Sequence, residues 1–142
     1  MDRKLGGLIC LFSLVGCATK QVTLDEALPA PADRVFAYAG PTSETGPIRF
    51  IRDGGLVSGG CPMGILVDGK VAAHLRVRET ITLHVPGGSH ILGVMPTGAG
   101  LCSYGAERYR KEMKWDVRTG EMSNMRVGLT QDGEPFLTPT AF

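Results

Sequence analysis

Short runs in which apolar and polar residues alternate make up most of the chain beyond residue 33. Ile81, Leu83 and Val85 alternate with polar neighbours, and the same spacing returns in residues 125–129. Because successive side chains of a strand point to opposite faces, this spacing predicts strands that bury one face in a core. Similar β-type runs lie at residues 34–38, 48–51, 65–67, 71–78, 90–95 and 136–138.

Residues 107–118 have a composition that a helix tolerates, but their charges follow the strand pattern. Every even position from 108 to 118 carries a charge, and Met113, Trp115 and Val117 lie at odd positions. A helix would scatter these charges around its circumference, whereas a strand places all of them on its wet face. We therefore expect a strand here.

Turn signals separate the runs. Asp68-Gly69 favours the positive φ angles of a type I′ hairpin turn. Residues 86–89 and 131–134 are predicted to be further turns, and residues 53–60 a glycine-rich loop. No segment has a convincing helical pattern. About eight short strands with turns between them predict an all-β domain, a small antiparallel β-sandwich over residues 33–142.

The N-terminus has the features of an export signal. Arg3 and Lys4 precede an apolar stretch at residues 5–15, and small residues follow it. A helix needs about 20 residues to span the hydrocarbon core of a bilayer, so this stretch is too short for a lasting span. We predict a removable signal peptide over residues 1–16. A buried N-terminal helix or strand is the alternative.

The end of this stretch, Leu14-Val15-Gly16-Cys17, resembles a bacterial lipoprotein lipobox. The resemblance implies that diacylglycerol joins the Cys17 sulfur and that the new amine is acylated after cleavage. Each buried methylene contributes about 0.8 kcal/mol, so three chains would anchor the protein firmly. An ordinary signal with a chance cysteine is the alternative. Ala18 stands where an aspartate would retain such lipoproteins in the inner membrane, which implies the outer membrane and a domain facing the periplasm.

Residues 17–32 are predicted to form a flexible tether after the lipidated cysteine. They contain Pro29 and Pro31 and few large apolar groups. Such a segment is expected to be extended and mobile, and to hold the domain away from the lipid surface.

The chain has 4 cysteines. Cys10 leaves with the signal peptide and Cys17 takes the lipid, so Cys61 and Cys102 remain in an oxidising compartment. Disulfides persist there, and we predict that these two pair. Closing a loop of this length stabilises the fold by about 4 kcal/mol in the chain-entropy model. Two free buried thiols are the alternative.

Three turn motifs carry a resemblance to a known family: Val67-Asp68-Gly69-Lys70, the stretch at residues 85–90, and Thr119-Gly120-Glu121. They resemble a group of uncharacterised bacterial envelope lipoproteins. The domain of that group is similar to the small PEGA-type and carboxypeptidase-regulatory-like β-sandwiches. The resemblance covers about residues 34–140 and implies a prealbumin-like sandwich. It implies no catalytic residues, because none are established for the family.

Composition excludes some classes of protein. Lys and Arg number 15 against 14 Asp and Glu, so no basic surplus points to nucleic acid. The 20 glycines and 9 prolines make the chain turn-rich and argue against a helical bundle. The length suits one ordinary domain.

The three histidines are the candidate residues for site chemistry. His74, His84 and His90 are expected on the polar faces of adjacent strands, where three imidazoles can bind zinc or copper. Surface histidines that are solvated or hydrogen-bonded are the simpler interpretation. Ser89 lies in a predicted hairpin turn and lacks the strand-to-helix context of a nucleophile. We assign no catalytic residue, no metal ligand and no cofactor.

Loops remain as surfaces for recognition, since loops on rigid sandwiches often carry it. Residues 54–57 and residues 95–101 are the candidate loops, and edge strands offer binding by strand addition. The sequence predicts a non-enzymatic lipoprotein that serves as an accessory or interaction module with an envelope protein partner. The alternative is a periplasmic protein that binds a metal or small ligand through the three histidines.

Overall fold

The computed structural model describes residues 19–55 and 60–141. The predicted signal peptide, the lipid attachment at Cys17, Ala18 and part of the candidate loop at residues 54–57 lie outside these ranges. In the parts of the chain that are described, no helix has the length and apolar character that a bilayer crossing requires.

Two sheets face each other and form the all-β sandwich that the sequence predicts. The strands in chain order are β1 (Leu28–Pro29), β2 (Thr45–Arg52), β3 (Met63–Val67), β4 (Lys70–Leu75), β5 (Glu79–Pro86), β6 (Gly88–Pro96), β7 (Lys111–Val117), β8 (Ser123–Leu129) and β9 (Pro135–Pro139). One sheet has the order β1-β5-β2-β8-β9 and the other has the order β4-β3-β6-β7. Neighbours are antiparallel except in the pairs β1–β5 and β2–β8, which are parallel.

The core lies between the sheets and is built from the alternating positions. Ile81, Leu83 and Val85 of β5 are buried, as are Met125 and Val127 of β8. They pack against apolar side chains of β3, β4 and β6 in one cluster. The alternation therefore predicted correctly which face of these strands points inward.

The charged strand and the predicted hairpin turn are both confirmed. In β7, residues 112, 114 and 116 are exposed, whereas Val117 is buried. Just before β7, residues Ala106–Tyr109 form a short 3-10 helix, although the sequence predicted that the strand begins at residue 107. Asp68 and Gly69 join β3 to β4 with φ angles of 49° and 78°. Positive φ at both positions is what a type I′ turn requires.

The predicted strand at residues 34–38 is wrong. Ala32–Arg34 forms a 3-10 helix, and Val35 makes only an isolated bridge to Ala73. The Arg34 guanidinium instead binds both carboxylate oxygens of Glu79, with Nη1 at 2.7 Å from Oε2. This ion pair and the bridge hold the segment across the sandwich, so it adds no full strand to either sheet.

The chain also changes sheets where the sequence suggested adjacent strands of one sheet. β4 and β5 lie in different sheets, and so do β5 and β6. Arg78 has a φ of 64° just before β5 begins. Gly87, just before β6, donates its N–H to the Glu44 carbonyl at 2.9 Å. Alternation defines the buried face of a strand but does not specify its neighbour, which is why these pairings were not predicted correctly.

The described part of the predicted tether is attached to the domain. Lys20 and Gly54 exchange two backbone hydrogen bonds of 2.8 Å, and Val22 is buried. Leu28–Pro29 pairs in parallel with the start of β5. The expectation of a free tether up to residue 32 is therefore corrected for residues 19–30. Backbone hydrogen bonds hold this segment, and they leave no mark on the apolar pattern.

Candidate functional site

The two predicted cysteines meet at one end of the sandwich. Cys61, which precedes β3, and Cys102, in the loop between β6 and β7, have sulfur atoms 2.13 Å apart and Cα atoms 5.3 Å apart. The Cα separation lies within the range of disulfides in proteins. The predicted pair is therefore at disulfide distance, and it ties the β6–β7 loop to the strand beneath it.

The β6–β7 loop is held at a second point beside the disulfide. Thr97 is buried, and its backbone N–H donates to the Pro62 carbonyl at 2.8 Å while its hydroxyl donates to the same oxygen at 3.2 Å. Beyond it, Gly98, Gly100 and Gly105 have positive φ angles that favour glycine. The loop is thus fixed at its base and bends sharply above it.

A cleft of about 290 Å³ opens beneath this loop. Its lining includes the disulfide, Leu101, Tyr104, Tyr109 and Leu129. Leu101 is 93% exposed and Tyr104 is 82% exposed, so they form a protruding rim. The predicted recognition loop at residues 95–101 therefore does contribute to the cleft. Tyr104 was not singled out from the sequence, because it lies beyond the predicted loop at residues 95–101.

A buried arginine lies under the cleft. Arg52, at the end of β2, is 3% exposed, and its Nη1 donates to the carbonyls of Cys61 and Leu75, each at 2.8 Å. Burial lowers the pKa of Arg52 to about 10, and the charge of Glu79 opposes this shift. The guanidinium therefore stays positive at neutral pH. It fixes the carbonyl of Cys61 and thereby the floor of the cleft.

Asp53, which directly follows β2, forms a charge pair with Arg126 of β8. Asp53 receives hydrogen bonds from Arg126 Nε at 2.8 Å and Arg126 Nη2 at 2.6 Å. The pair raises the pKa of Arg126. The Arg126 guanidinium also lies 5.3 Å from the ring centre of Phe136. The sequence showed two charges next to a glycine-rich loop but gave no sign that both are buried.

The first described residues lie at this same end. The Thr19 hydroxyl donates to the Leu129 carbonyl at 2.9 Å. Thr19, Arg52, Gly54 and Leu129 line a small hollow next to the cleft. Arg52 and Leu129 line both spaces. The chain therefore enters the domain beside the cleft.

The structure does not bring the three histidines together. His84 lies in the sheet of β5, and His74 and His90 lie in the other sheet with β3 between their strands. On β3, Gly64 lies opposite His74 of β4 and also opposite Met95 of β6. His90 lies five residues from Met95 on β6, so it is about 16 Å from the position level with His74. Among the described residues, no group of three or more His, Cys, Asp and Glu side chains is placed to hold a metal ion.

His90 and His74 have separate local contacts. His90 Nδ1 is 2.7 Å from Asp68 Oδ2, and its Nε2 is 2.9 Å from the Pro86 carbonyl. Asp68 also accepts the Ile91 N–H at 2.9 Å, and these bonds, Ile91 first, lower its pKa. The His74 ring packs edge-on against Phe36, and burial together with the charge of Arg34 lowers its pKa. These contacts serve structure and leave the metal-binding alternative without support from geometry.

The four sheet edges differ in how open they are. β1 has only two residues, and β9 begins and ends with proline. The Ala72 carbonyl of β4 is already occupied, because it accepts N–H groups from Phe36 and Ala37. β7 pairs with β6 on one side and, within the described residues, with no strand on the other. It contains no proline, and a groove of about 500 Å³ runs beside its second half. β7 is therefore the edge best suited to accept another strand.

No protein-family model, no curated protein and no solved structure matches this chain. The predicted resemblance to envelope lipoproteins with PEGA-type domains consequently stays a prediction.

Proposed function

We propose that the protein is a lipid-anchored, non-catalytic interaction module of the bacterial envelope. Cys17 would carry the lipid, and the sandwich would face the periplasm from the outer membrane. The observation that carries the proposal is the placement of Cys61 and Cys102 at disulfide distance. Disulfides persist in oxidising compartments, so this pair supports the export signal that precedes the lipobox.

The second half of the proposal concerns the partner. An extended segment of another envelope protein would add to the open edge of β7 by main-chain hydrogen bonds. The outward side chains Glu112, Lys114 and Asp116 alternate in sign and would select a partner strand with complementary charges. The prolines of β9 disfavour the same addition at the neighbouring edge of the other sheet.

The anchor is tested by changing the thiol that takes the lipid. Cys17→Ser should abolish incorporation of labelled fatty acid and leave the protein soluble or unprocessed. Cys10→Ser is the matched control, because Cys10 lies in the predicted signal peptide and should leave labelling and membrane retention unchanged. Equal labelling of the Cys17→Ser variant and the unaltered protein would refute the anchor.

A further inference from the structure

We propose that Leu101 and Tyr104 insert into the headgroup region of the bilayer that holds the Cys17 lipid, so that the domain lies on the membrane in one fixed orientation. The inference rests on the proposed function, since it requires acylation of Cys17. It replaces the expectation of a domain held away from the membrane by a mobile tether.

The length of chain before the domain sets the geometry. Thr19 is already bound to Leu129 through its hydroxyl, and Lys20 is already bridged to Gly54. Two residues span at most about 7 Å, so the Cα atom of Cys17 lies within about 7 Å of that of Thr19. The acyl chains of Cys17 enter the hydrocarbon core, which places Cys17 at the level of the headgroups. The Leu129 end of the sandwich must then lie at the membrane surface.

The protruding rim of the cleft lies at this end. Leu129 and Arg52 line both the hollow that contains Thr19 and the cleft that contains Leu101 and Tyr104. With 93% of Leu101 and 82% of Tyr104 exposed, these side chains stand out from the end that the lipid holds close. The disulfide and the Thr97 hydrogen bonds fix the base of their loop, so the rim is presented at small cost in conformational entropy.

The side chains suit the membrane interface. Leucine gains by leaving water, and tyrosine, with an apolar ring and a polar hydroxyl, is enriched at the level of the headgroups. The charge at this end is mixed, because the exposed Lys20 lies near it and Asp132 lines the cleft. Apolar contact therefore carries the proposal, and a dependence on anionic lipid is not part of it.

The first test uses tryptophan as a depth probe in full-length acylated protein. Leu101→Trp and Met122→Trp are each made in a Trp115→Phe background and reconstituted into phosphatidylcholine vesicles with brominated acyl chains. Met122, which is also exposed, precedes β8 and lies about 23 Å along that strand from Leu129, so it is the matched control. Fluorescence of the Leu101→Trp variant should be quenched at least twofold more than that of the Met122→Trp variant. Equal quenching of the two variants would overturn the inference.

A second test needs no substitution in the domain. Hydroxyl-radical labelling of Leu101 and Tyr104 should fall at least threefold when the acylated protein on vesicles is compared with soluble Cys17→Ser protein, whereas labelling of Met122 should not change. Vesicle-bound, acylated protein with unchanged labelling at Leu101 contradicts the membrane contact but leaves the anchor intact. Protein that carries no acyl mass and stays off the vesicles contradicts the anchor, and this inference fails with it.

Discussion

Asp53 and Arg126 form an ion pair with two points of contact, between the end of β2 and the middle of β8. The Asp53 side chain is 1% exposed, and that of Arg126 is 27% exposed. Asp53 directly follows β2, and Arg126 lies beside the carboxyl end of β2 on the parallel strand β8, so the pair lies at the end of the sandwich that holds the cleft. The pair therefore joins the strand that carries Arg52 to the strand that receives Thr19.

Removing the arginine should destabilise the domain strongly. Arg126→Met leaves the buried Asp53 carboxylate without its counter-charge, and such a loss costs about 3 kcal/mol. Urea unfolding followed by circular dichroism measures the loss in the free energy of unfolding. Arg118→Met is the control, since the Arg118–Glu121 pair is exposed and should contribute less than about 1 kcal/mol. Equal urea midpoints for the two variants would show that the buried pair stabilises the domain no more than the exposed pair.

The lack of a side chain at Gly128 leaves space for the Asp53–Arg126 pair. A Cβ atom there would lie 2.6 Å from Phe136 Cζ and 2.8 Å from Asp53 Oδ2. Gly128→Ala should therefore cost about 2 kcal/mol through overpacking. Gly40→Ala is the matched control, because a Cβ atom at Gly40 meets nothing within 4 Å. Thermal melts of both variants measure the cost. An unchanged melting temperature for Gly128→Ala would contradict the close packing of Gly128 against Phe136 and Asp53.

The disulfide should stabilise the domain by about 4 kcal/mol. The double variant Cys61→Ser and Cys102→Ser should unfold at lower urea than the unaltered protein. Addition of a reductant should lower the midpoint of the unaltered protein to about that of the variant and should leave the variant unchanged. A reductant effect of equal size on both proteins would show that the two sulfurs are not joined.

Glu79 should make the domain sensitive to acid. Burial alone would raise the pKa of Glu79, but hydrogen bonds from Arg34 and the Arg76 N–H outweigh it and lower the pKa below its usual 4.5. A lowered pKa means that the stabilisation is present above 4.5 and is lost as the pH falls through the folded-state value. Glu79→Gln should flatten the fall of the melting temperature below pH 4.5, whereas Glu121→Gln, at an exposed position, should not. Parallel pH profiles for Glu79→Gln and the unaltered protein would contradict this role.

The open edge of β7 is the proposed binding site for the partner. A photo-crosslinking amino acid at position 114 should capture an envelope protein in intact cells, and the same group at position 138 on β9 should not. The captured protein, once purified, should also protect the amides of β7 from hydrogen exchange. Capture at position 138 alone, or no protection of β7, would place the partner elsewhere.

Side-chain patterns predicted much of this fold because burial acts on side chains. The alternation at Ile81, Leu83 and Val85 and the turn at Asp68-Gly69 were sufficient to predict strands and a hairpin. The pairing of Cys61 with Cys102 followed from elimination, because only two thiols remained after the signal and the lipid were assigned.

The remaining features depend on contacts between distant segments. The bonds of Thr19 to Leu129 and of Lys20 to Gly54 join residues far apart in the sequence, mainly through backbone groups that every residue has. The Arg52 guanidinium is held by the carbonyls of Cys61 and Leu75, which are 9 and 23 residues away in the sequence. Neither feature changes the local pattern, so the position of the cleft was not predictable from the sequence.

The covalent state of the amino terminus decides whether the protein is anchored to a membrane. Intact-mass and peptide analysis of protein extracted from native membranes measures it. We expect a mature chain that begins at Cys17 and carries the mass of a diacylglycerol and an amide-linked acyl chain. A chain that retains Met1 and carries no acyl mass would contradict the anchor, the compartment and the role proposed for the domain.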